Sequence, residues 1–577
     1  MDRMEISAIL NEIGLLLELR GENPFKVRAY YQAARVVAGL TEDPEELVRS
    51  GRLAGLTGIG PALKEKIETL VTTGRLPYYE NLRAQVPPGL LEFLRVPGLG
   101  PRKVQTLYRE LGLTNLDDLA AACRAHRLRD LPGFGAKTEE KILAGLEWLA
   151  RNRGLHLWAT AMAAAEELRA ALAAMAEVEA VAIAGGLRRA REVVGDIDLV
   201  AATASPRAVG EAFLRLPMVD AGAVEGPGKV AATLRNGIPV ELHLAAPEDF
   251  PGRLLHLTGN AEHLAALRAR AAELGLGLDE RGLCRGEERL LLASEEVIYA
   301  ALGLEYIPPE LREGLGEIEA AARGELPALV GMADIRGALH VHTSASDGVA
   351  SLEEMARAAA ALGWEYMGIA DHSQSAAYAG GLKIEEVLAQ WEAIAAHNRA
   401  GAAPYLLAGI EAEIGPDGSL DYPEEILARF DYVIASVHSH FNLDRAAMTA
   451  RIVRAMQNPY VTILGHPEGR LLLERAGYAL DVEEVLRAAA EYGVAIEINA
   501  SPYRLDLDWR WCRRARGMGI VFWINPDAHG PRELEQIPFG LNVARKGWLG
   551  PEQVGNTWSL AEIKEKWAAR RAGKGPA

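Results

Sequence analysis

The chain has 577 residues, a formal net charge of −17, 49% hydrophobic residues and three cysteines, a length that calls for several domains rather than one hydrophobic core. Cys123, Cys284 and Cys512 lie far apart without C-x-x-C spacing, which argues against a disulfide framework or a thiolate zinc site. The acidic balance excludes polyanion binding by the whole surface, and neither the MDRMEISAIL start nor the most apolar stretch, broken by Glu166, Glu167 and Arg169, reads as an export or membrane segment, so a cytoplasmic protein is expected.

Charge is unevenly placed. Residues 1–153 hold 22 Lys/Arg against 20 Asp/Glu, a local +2 that leaves −19 for the remainder. The stretch ENPFKVRAYYQAARVV sets Phe25, Tyr30 and Tyr31 beside Lys26, Arg28 and Arg35. It reads equally as a DNA-facing helix, with Lys26 and Tyr30 as contacts, and as a core-packed amphipathic helix with a solvated basic face. Three later segments repeat one pattern: LTGIGPALKEKI (56–67), VPGLGPRKVQTL (96–107) and LPGFGAKTEEKI (131–142). In each, Gly-apolar-Gly (Gly58/Gly60, Gly98/Gly100, Gly133/Gly135) runs into a helix bearing Lys or Arg, among them Lys64, Lys66, Arg102, Lys103 and Lys137. Glycines allow a tight turn and close backbone approach, and the helix start offers free N–H groups to a phosphate.

The middle third contains GGLRRAREVVGDIDLV (185–200) and PVELHL (239–244). Asp196 and Asp198 alternate on one strand face, and Glu241 stands among apolar neighbours on a second predicted strand. Three acids converging from two strands can hold the Mg²⁺ or Mn²⁺ ions of phosphoryl transfer. Gly185 and Gly186, followed by Arg188 and Arg189, can receive a triphosphate through amides and guanidinium groups.

The last 240 or so residues carry metal-ligand side chains in series: His340-Val-His342, Asp347, Asp371-His372, Glu411, His438, His466 and Asp527-Ala-His529. Because strand residues i and i+2 face one side, His340/His342 and Asp527/His529 are each expected to chelate one site from a strand. Several ligands end short apolar runs, as where strands deliver side chains to the open face of an α/β barrel. Mixed imidazole and carboxylate donors suit zinc, manganese or iron.

The series HVHTSASDG, ADHS, GIEAEI, SVHSHF, LGHP and NPDAH resembles the PHP (polymerase and histidinol phosphatase) metallohydrolases, over about residues 333–570. That resemblance implies a distorted seven-stranded barrel holding up to three ions through His340, His342, Asp347, His372, Glu411, His438, His466, Asp527 and His529. The three Gly-apolar-Gly segments resemble helix-hairpin-helix DNA-binding elements, and residues 1–310 resemble the family X DNA polymerases. The whole chain is similar to the bacterial form with a C-terminal PHP domain, a multidomain α/β protein. The resemblance implies residues 1–80 as a lyase-type domain, 81–155 a DNA-binding region, 156–250 a nucleotidyltransferase palm, 251–310 a nucleotide-selecting subdomain, 311–332 a linker and 333–577 the PHP domain. It implies nucleotide binding by Gly185, Gly186, Arg189, Gly195, Gly259 and Arg268, and catalysis by Asp196, Asp198 and Glu241. Lys66 matches the family's Schiff-base lysine; a helix lysine touching phosphate is the equal alternative.

Departures from the family pattern are specific. Gly186 replaces a serine, Glu241 an aspartate, His243 an arginine and His256 a tyrosine; Asn260 replaces another serine and Leu264 a polar residue, while Arg268 is retained. The expected function is repair of gapped or nicked DNA, with slow nucleotide addition from dNTPs and 3′–5′ or abasic-site hydrolysis by the PHP domain. The alternative is a nuclease whose polymerase-defective palm serves as a DNA platform. A monomer is expected.

Overall fold

The computed structural model describes residues 3–38, 40, 44–55, 59–96, 98–226 and 228–571, in two compact units, Met1–Arg153 and Gly154–Ala577. Gly58, expected in the first hairpin, lies outside the described residues.

The first unit is helical among its described residues. In α1 (Arg3–Leu19) the residues Ile6, Leu10, Ile13 and Leu17 recur at three- and four-residue steps and are at most 1% exposed, the stripe an amphipathic helix buries. It packs on α2 (Pro24–Ala38), whose Tyr30, Ala33, Ala34 and Val37 are buried. Three later helices, α3 (Pro61–Thr73), α4 (Pro101–Leu111) and α5 (Ala136–Asn152), each start immediately after the second glycine of a repeated segment. Pro61 and Pro101 occupy first-turn positions, where the missing N–H costs nothing.

The second unit opens with a five-stranded mixed sheet. Its strands are β1 (Ala180–Ile183), β2 (Ile197–Ala202), β3 (Val219–Val224), β4 (Lys229–Leu234) and β5 (Pro239–Ala245), in the order β1-β2-β5-β4-β3. Only β2 and β5 run parallel, which sets Asp198 beside Glu241. Downstream, seven parallel strands follow in sequence order: β6 (Gly337–Val341), β7 (Tyr366–Ile369), β8 (Tyr405–Glu413), β9 (Tyr432–Ser436), β10 (Ile463–Leu464), β11 (Ala495–Asn499) and β12 (Phe522–Asn525). A bridge between Val341 and Ala528, with His342 N donating to Ala528 O at 2.8 Å, brings the first strand against the end of the last and makes a nearly closed barrel. Its strands are almost wholly buried and apolar, as a parallel sheet covered on both faces requires.

The segment 311–332, expected to be a linker, is built into the fold instead. Leu311, Ile318, Ala320 and Ala321 are buried, Arg312 is fully buried in a 2.5 Å ion pair with Glu295, and Glu317 accepts from the Gly314 and Leu315 amides. Its buried charges, Arg312 and Glu317, are paired internally with Glu295 and His263.

Further pairs tie the barrel to the mixed sheet. Lys546, buried at the end of a barrel helix (Ile537–Lys546), donates to Arg189 O at 2.9 Å and pairs with Glu313 at 2.5 Å. Lys546→Met is expected to lower unfolding stability by about 3 kcal/mol, because it strips one partner from a buried pair. An unchanged urea midpoint would contradict this account of the junction.

Candidate functional site

Nine residues from the ends of six of the seven strands converge at one mouth of the barrel. Glu411, near the end of β8, is the hub. Its Oε1 lies 3.0 Å from His466 Nε2, 3.2 Å from His438 Nε2 and 3.3 Å from His340 Nε2. Its Oε2 lies 3.0 Å from His372 Nδ1 and 3.7 Å from His342 Nε2. Asp527 Oδ1 stands 3.2 Å from His342 Nε2 and 3.4 Å from His340 Nε2, and Asp347 meets His372 and His529 at 3.4 Å each. Three overlapping sets have donor atoms within 4.8 Å of one another: His342/Asp347/His372/His529, His340/His342/Asp527 and His372/Glu411/His438.

The arrangement fits metal ions. His340 Nε2, His342 Nδ1 and His372 Nδ1 are buried without a hydrogen-bond partner, although carboxylate oxygens are close; donors that approach without bonding one another are aimed at a shared centre. Burial opposes ionisation of Glu411, but His438, His340 and His372 outweigh it and hold the carboxyl well below its usual range. Asp527 is held low in the same way, with His340 first among the opposing groups. Both carboxylates are therefore charged and ready as ligands.

The expected strand-face chelation is corrected. His340 has φ +57° and Asp527 φ +52°, Asp527 and His529 follow the end of β12, and His342 follows the end of β6. The left-handed backbone, uncommon outside glycine but adopted by Asp and His more readily than by most residues, sets the direction of these side chains.

Residues that sequence reasoning passed over fix the ligands. Fully buried Glu497 bonds His340 Nδ1 at 2.6 Å and accepts from the His466 amide at 2.7 Å. Glu413 bonds His438 Nδ1 at 2.9 Å. Each such contact fixes the tautomer and leaves Nε2 facing the centre. Asp371 is an organiser rather than a ligand: it accepts from Thr343 N and Oγ1 at 2.7 Å and from Gln390 Nε2 at 2.6 Å, holding the loop that carries Asp347. A carboxylate inside the otherwise apolar run VAIEIN was the available signal for Glu497. The centre opens into a cavity of about 290 Å³ lined also by Tyr378, Phe441, Arg475 and Arg504. That is near the low end of small-ligand sites, about 300–1,000 Å³.

In the mixed sheet the tight donor cluster is Asp198, Glu241 and His243. His243 joins two of the expected carboxylates there, and Asp196 is close enough to act on both of them. Burial, then Asp196 and Glu241, push the Asp198 carboxyl up to about 7, and burial and Glu241 raise Asp196. Crowded acids of this kind are relieved by a bound cation. Lys229 on β4 already neutralises one oxygen of Glu241 at 2.8 Å. Gly185 has φ +63°, and a Cβ there would stand 1.9 Å from Asp198 Oδ2, so only glycine fits. At Gly186 a Cβ would meet only side-chain carbons, Arg191 Cδ at 3.3 Å being the nearest, so a serine can be accommodated there.

Arg189 is buried, donating to Glu313 at 3.1 Å and Thr258 O at 2.7 Å, so a triphosphate would compete with both. Gly195 precedes Asp196 in the turn into β2. Gly259 separates two helices, and Arg268 is exposed, with Nη2 3.5 Å from His256 Nδ1.

In the helical unit Gly60, Gly100 and Gly135 precede α3, α4 and α5, and none of the three helix starts receives a side-chain cap. Gly98 and Gly133 have φ +89° and +81°. Tyr30 is corrected from DNA contact to core residue: it is 5% exposed and its ring packs against Tyr78. Lys26 Nζ and Lys66 Nζ lie 6.0 and 5.0 Å from that Tyr78 ring, and Lys66 also donates to Ala62 O at 3.1 Å.

Fold and geometry together define a protein with two phosphoryl-chemistry centres, one in a nucleotidyltransferase-type sheet and one in a metal-ligand barrel. Residues 1–76 match the helix-hairpin-helix domain, 90–147 the SAM-like helix-hairpin-helix tandem, 253–313 the DNA polymerase beta thumb and 338–501 the PHP domain. The DNA polymerase/3'-5' exonuclease PolX of Bacillus subtilis is 37% identical over 568 residues, 98% of this chain and 99% of that protein. A probable phosphatase of Caldanaerobacter subterraneus is 33% identical over 249 residues, 40% of this chain and 91% of its own length, so the barrel has relatives that lack the rest. A solved chain of Leishmania infantum polymerase beta covers 39% of this chain at 20% identity and TM-score 0.26, too low to establish a shared fold. The chain belongs to the PolX family of family X DNA polymerases, which join a polymerase module to a PHP domain.

Proposed function

We propose that this protein repairs gapped or nicked DNA, adding nucleotides from dNTPs at the palm and hydrolysing phosphodiesters at the PHP centre, from 3′ ends and at abasic sites. The observation that carries the reading is the convergence of nine ligand-type side chains at one mouth of the barrel, five of the histidines around Glu411, with nitrogens of His340, His342 and His372 buried without a hydrogen-bond partner. Bound transition metals would supply Lewis-acid polarisation of the phosphodiester and an acidified attacking water. The chain's own residues do the rest. Arg504, 3.5 Å from Asp527, and Arg475 place positive charge at the cavity wall for the phosphate, while Tyr378 stands at the mouth, 5.9 Å from the His372 ring. We assign zinc, manganese or iron to this centre, up to three ions, and Mg²⁺ or Mn²⁺ to the palm. Chelation is expected to abolish hydrolysis, and Mn²⁺ to restore it better than Mg²⁺, whose preference for oxygen suits a His-rich site poorly. Purified protein without transition metal that degrades no DNA under Mn²⁺ would contradict the proposal.

The division 1–80, 81–155, 156–250, 251–310 and 333–577 into lyase-type, hairpin, palm, nucleotide-selecting and PHP parts belongs to the same reading, as do a monomeric state and a cytoplasmic location; among the described residues no helix is long and apolar enough to cross a membrane. The uncapped starts of α3, α4 and α5 are the phosphate contacts, gripping DNA without reading bases. Gly98→Val is expected to weaken duplex binding by about tenfold, because a β-branched residue is strained at φ +89°. Fluorescence anisotropy across a salt series measures it; salt-independent binding, or full affinity in the variant, would contradict it. The second reading, a nuclease with a polymerase-defective palm, draws support from Lys229 on Glu241 and from the ion-paired Arg189.

A further inference from the structure

The palm cluster contains a nitrogen donor where carboxylates were expected to act alone. Glu241 and His243 are two residues apart on β5 and share its face, and Asp198 stands opposite Glu241 on β2. His243 Nε2 lies 3.4 Å from Glu241 Oε2 and 3.9 Å from Asp198 Oδ1. The side chain is 12% exposed, and its Nε2 is shielded from solvent with no hydrogen-bond partner. A buried polar atom left this way is costly unless something else fills it. Lys229 takes the outer oxygen of Glu241 at 2.8 Å, leaving Oε2 on the side of His243.

We propose that His243 is a direct ligand of the palm's divalent cation, so that the site binds through Asp198, Glu241 and one imidazole nitrogen. This rests on the palm being a cation-dependent nucleotidyl-transfer site and adds a residue to it. The chemical consequence is a change of metal class. Imidazole suits transition metals, whereas Mg²⁺ prefers an all-oxygen octahedron, so the cluster favours Mn²⁺ over Mg²⁺ at the level of binding.

The test uses the full chain with Mn²⁺ as probe and pulsed electron paramagnetic resonance to detect ¹⁴N coupling. The Mn²⁺ signal that disappears in Asp196→Ala/Asp198→Ala is the palm's own, separated by difference from Mn²⁺ on the His-rich barrel. That component is expected to carry ¹⁴N modulation and to lose it in His243→Gln, with Mn²⁺ affinity falling by at least about tenfold, the loss that even a ligand's supporting partner causes. Mg²⁺ affinity, read by competition, should change no more than about twofold, since an imidazole contributes little to it. His243→Ala provides the same readout if the glutamine variant folds poorly. Palm Mn²⁺ without ¹⁴N coupling, or coupling that survives both His243 variants, overturns the proposal and leaves the palm reading standing. If the Asp196/Asp198 variant binds as much Mn²⁺ as the wild type, the cation site itself is absent and both readings fall.

Discussion

His342→Ala combined with His372→Ala is expected to reduce hydrolysis of DNA 3′ ends by about 10³-fold or more while leaving duplex binding unchanged. Replacing even the partner that supports a metal ligand typically costs about 10–100-fold, and here two ligands go at once. Both are shared between donor sets: His342 takes part with Asp347 and with Asp527, and His372 with Asp347 and with Glu411. Their loss therefore opens every one of the three sets. DNA binding should persist because the hairpin helices lie in the other compact unit. A matched melting curve separates lost chemistry from lost structure. Hydrolysis within tenfold of wild type would contradict the assignment of this centre.

The second large effect is expected in the palm. Glu241→Asp together with Gly186→Ser should raise nucleotide addition at saturating Mg²⁺ by about 10- to 100-fold, since a misplacement of about 1 Å can cost about 10²-fold. The extra methylene of Glu241 lets it reach Lys229 on the neighbouring strand; aspartate draws the carboxylate back toward Asp198. Serine at 186 supplies a hydroxyl at the turn proposed to receive the triphosphate, and the space there accommodates it. Single-turnover primer extension on a gapped duplex measures the gain. An unchanged or lower rate would contradict this account of Glu241 and Gly186.

How much of this was legible in the chain depends on which physics each feature uses. The barrel ligands could be read because His, Asp and Glu at the ends of apolar runs are costly unless something binds them. The helix starts could be read because glycine and proline restrict the backbone locally. What escaped depends on long-range packing. The left-handed turns at His340 and Asp527 are imposed by the barrel, and no local propensity announces them. Glu497 and Glu413 find their histidines only after strands far apart in sequence are brought together. The charged segment after residue 310 looked like a tether because Arg312 and Glu317 carry no sign of partners at Glu295 and His263. Tyr30, read beside basic neighbours as a DNA contact, lies instead on the buried stripe of its helix. In sequence His243 stands where the family has an arginine; its place in the palm cluster follows from the register of β5 against β2.

The central claim is that one chain carries two independent phosphoryl-chemistry centres. A gapped duplex labelled at the primer 5′ end, incubated in Mn²⁺ with and without dNTPs, tests it in one gel. Wild type is expected to lengthen the primer with dNTPs and shorten it without them. Asp196→Ala/Asp198→Ala should shorten only, and His342→Ala/His372→Ala should lengthen only. Shortening that disappears with the palm variant, or lengthening that disappears with the barrel variant, would contradict two separate centres.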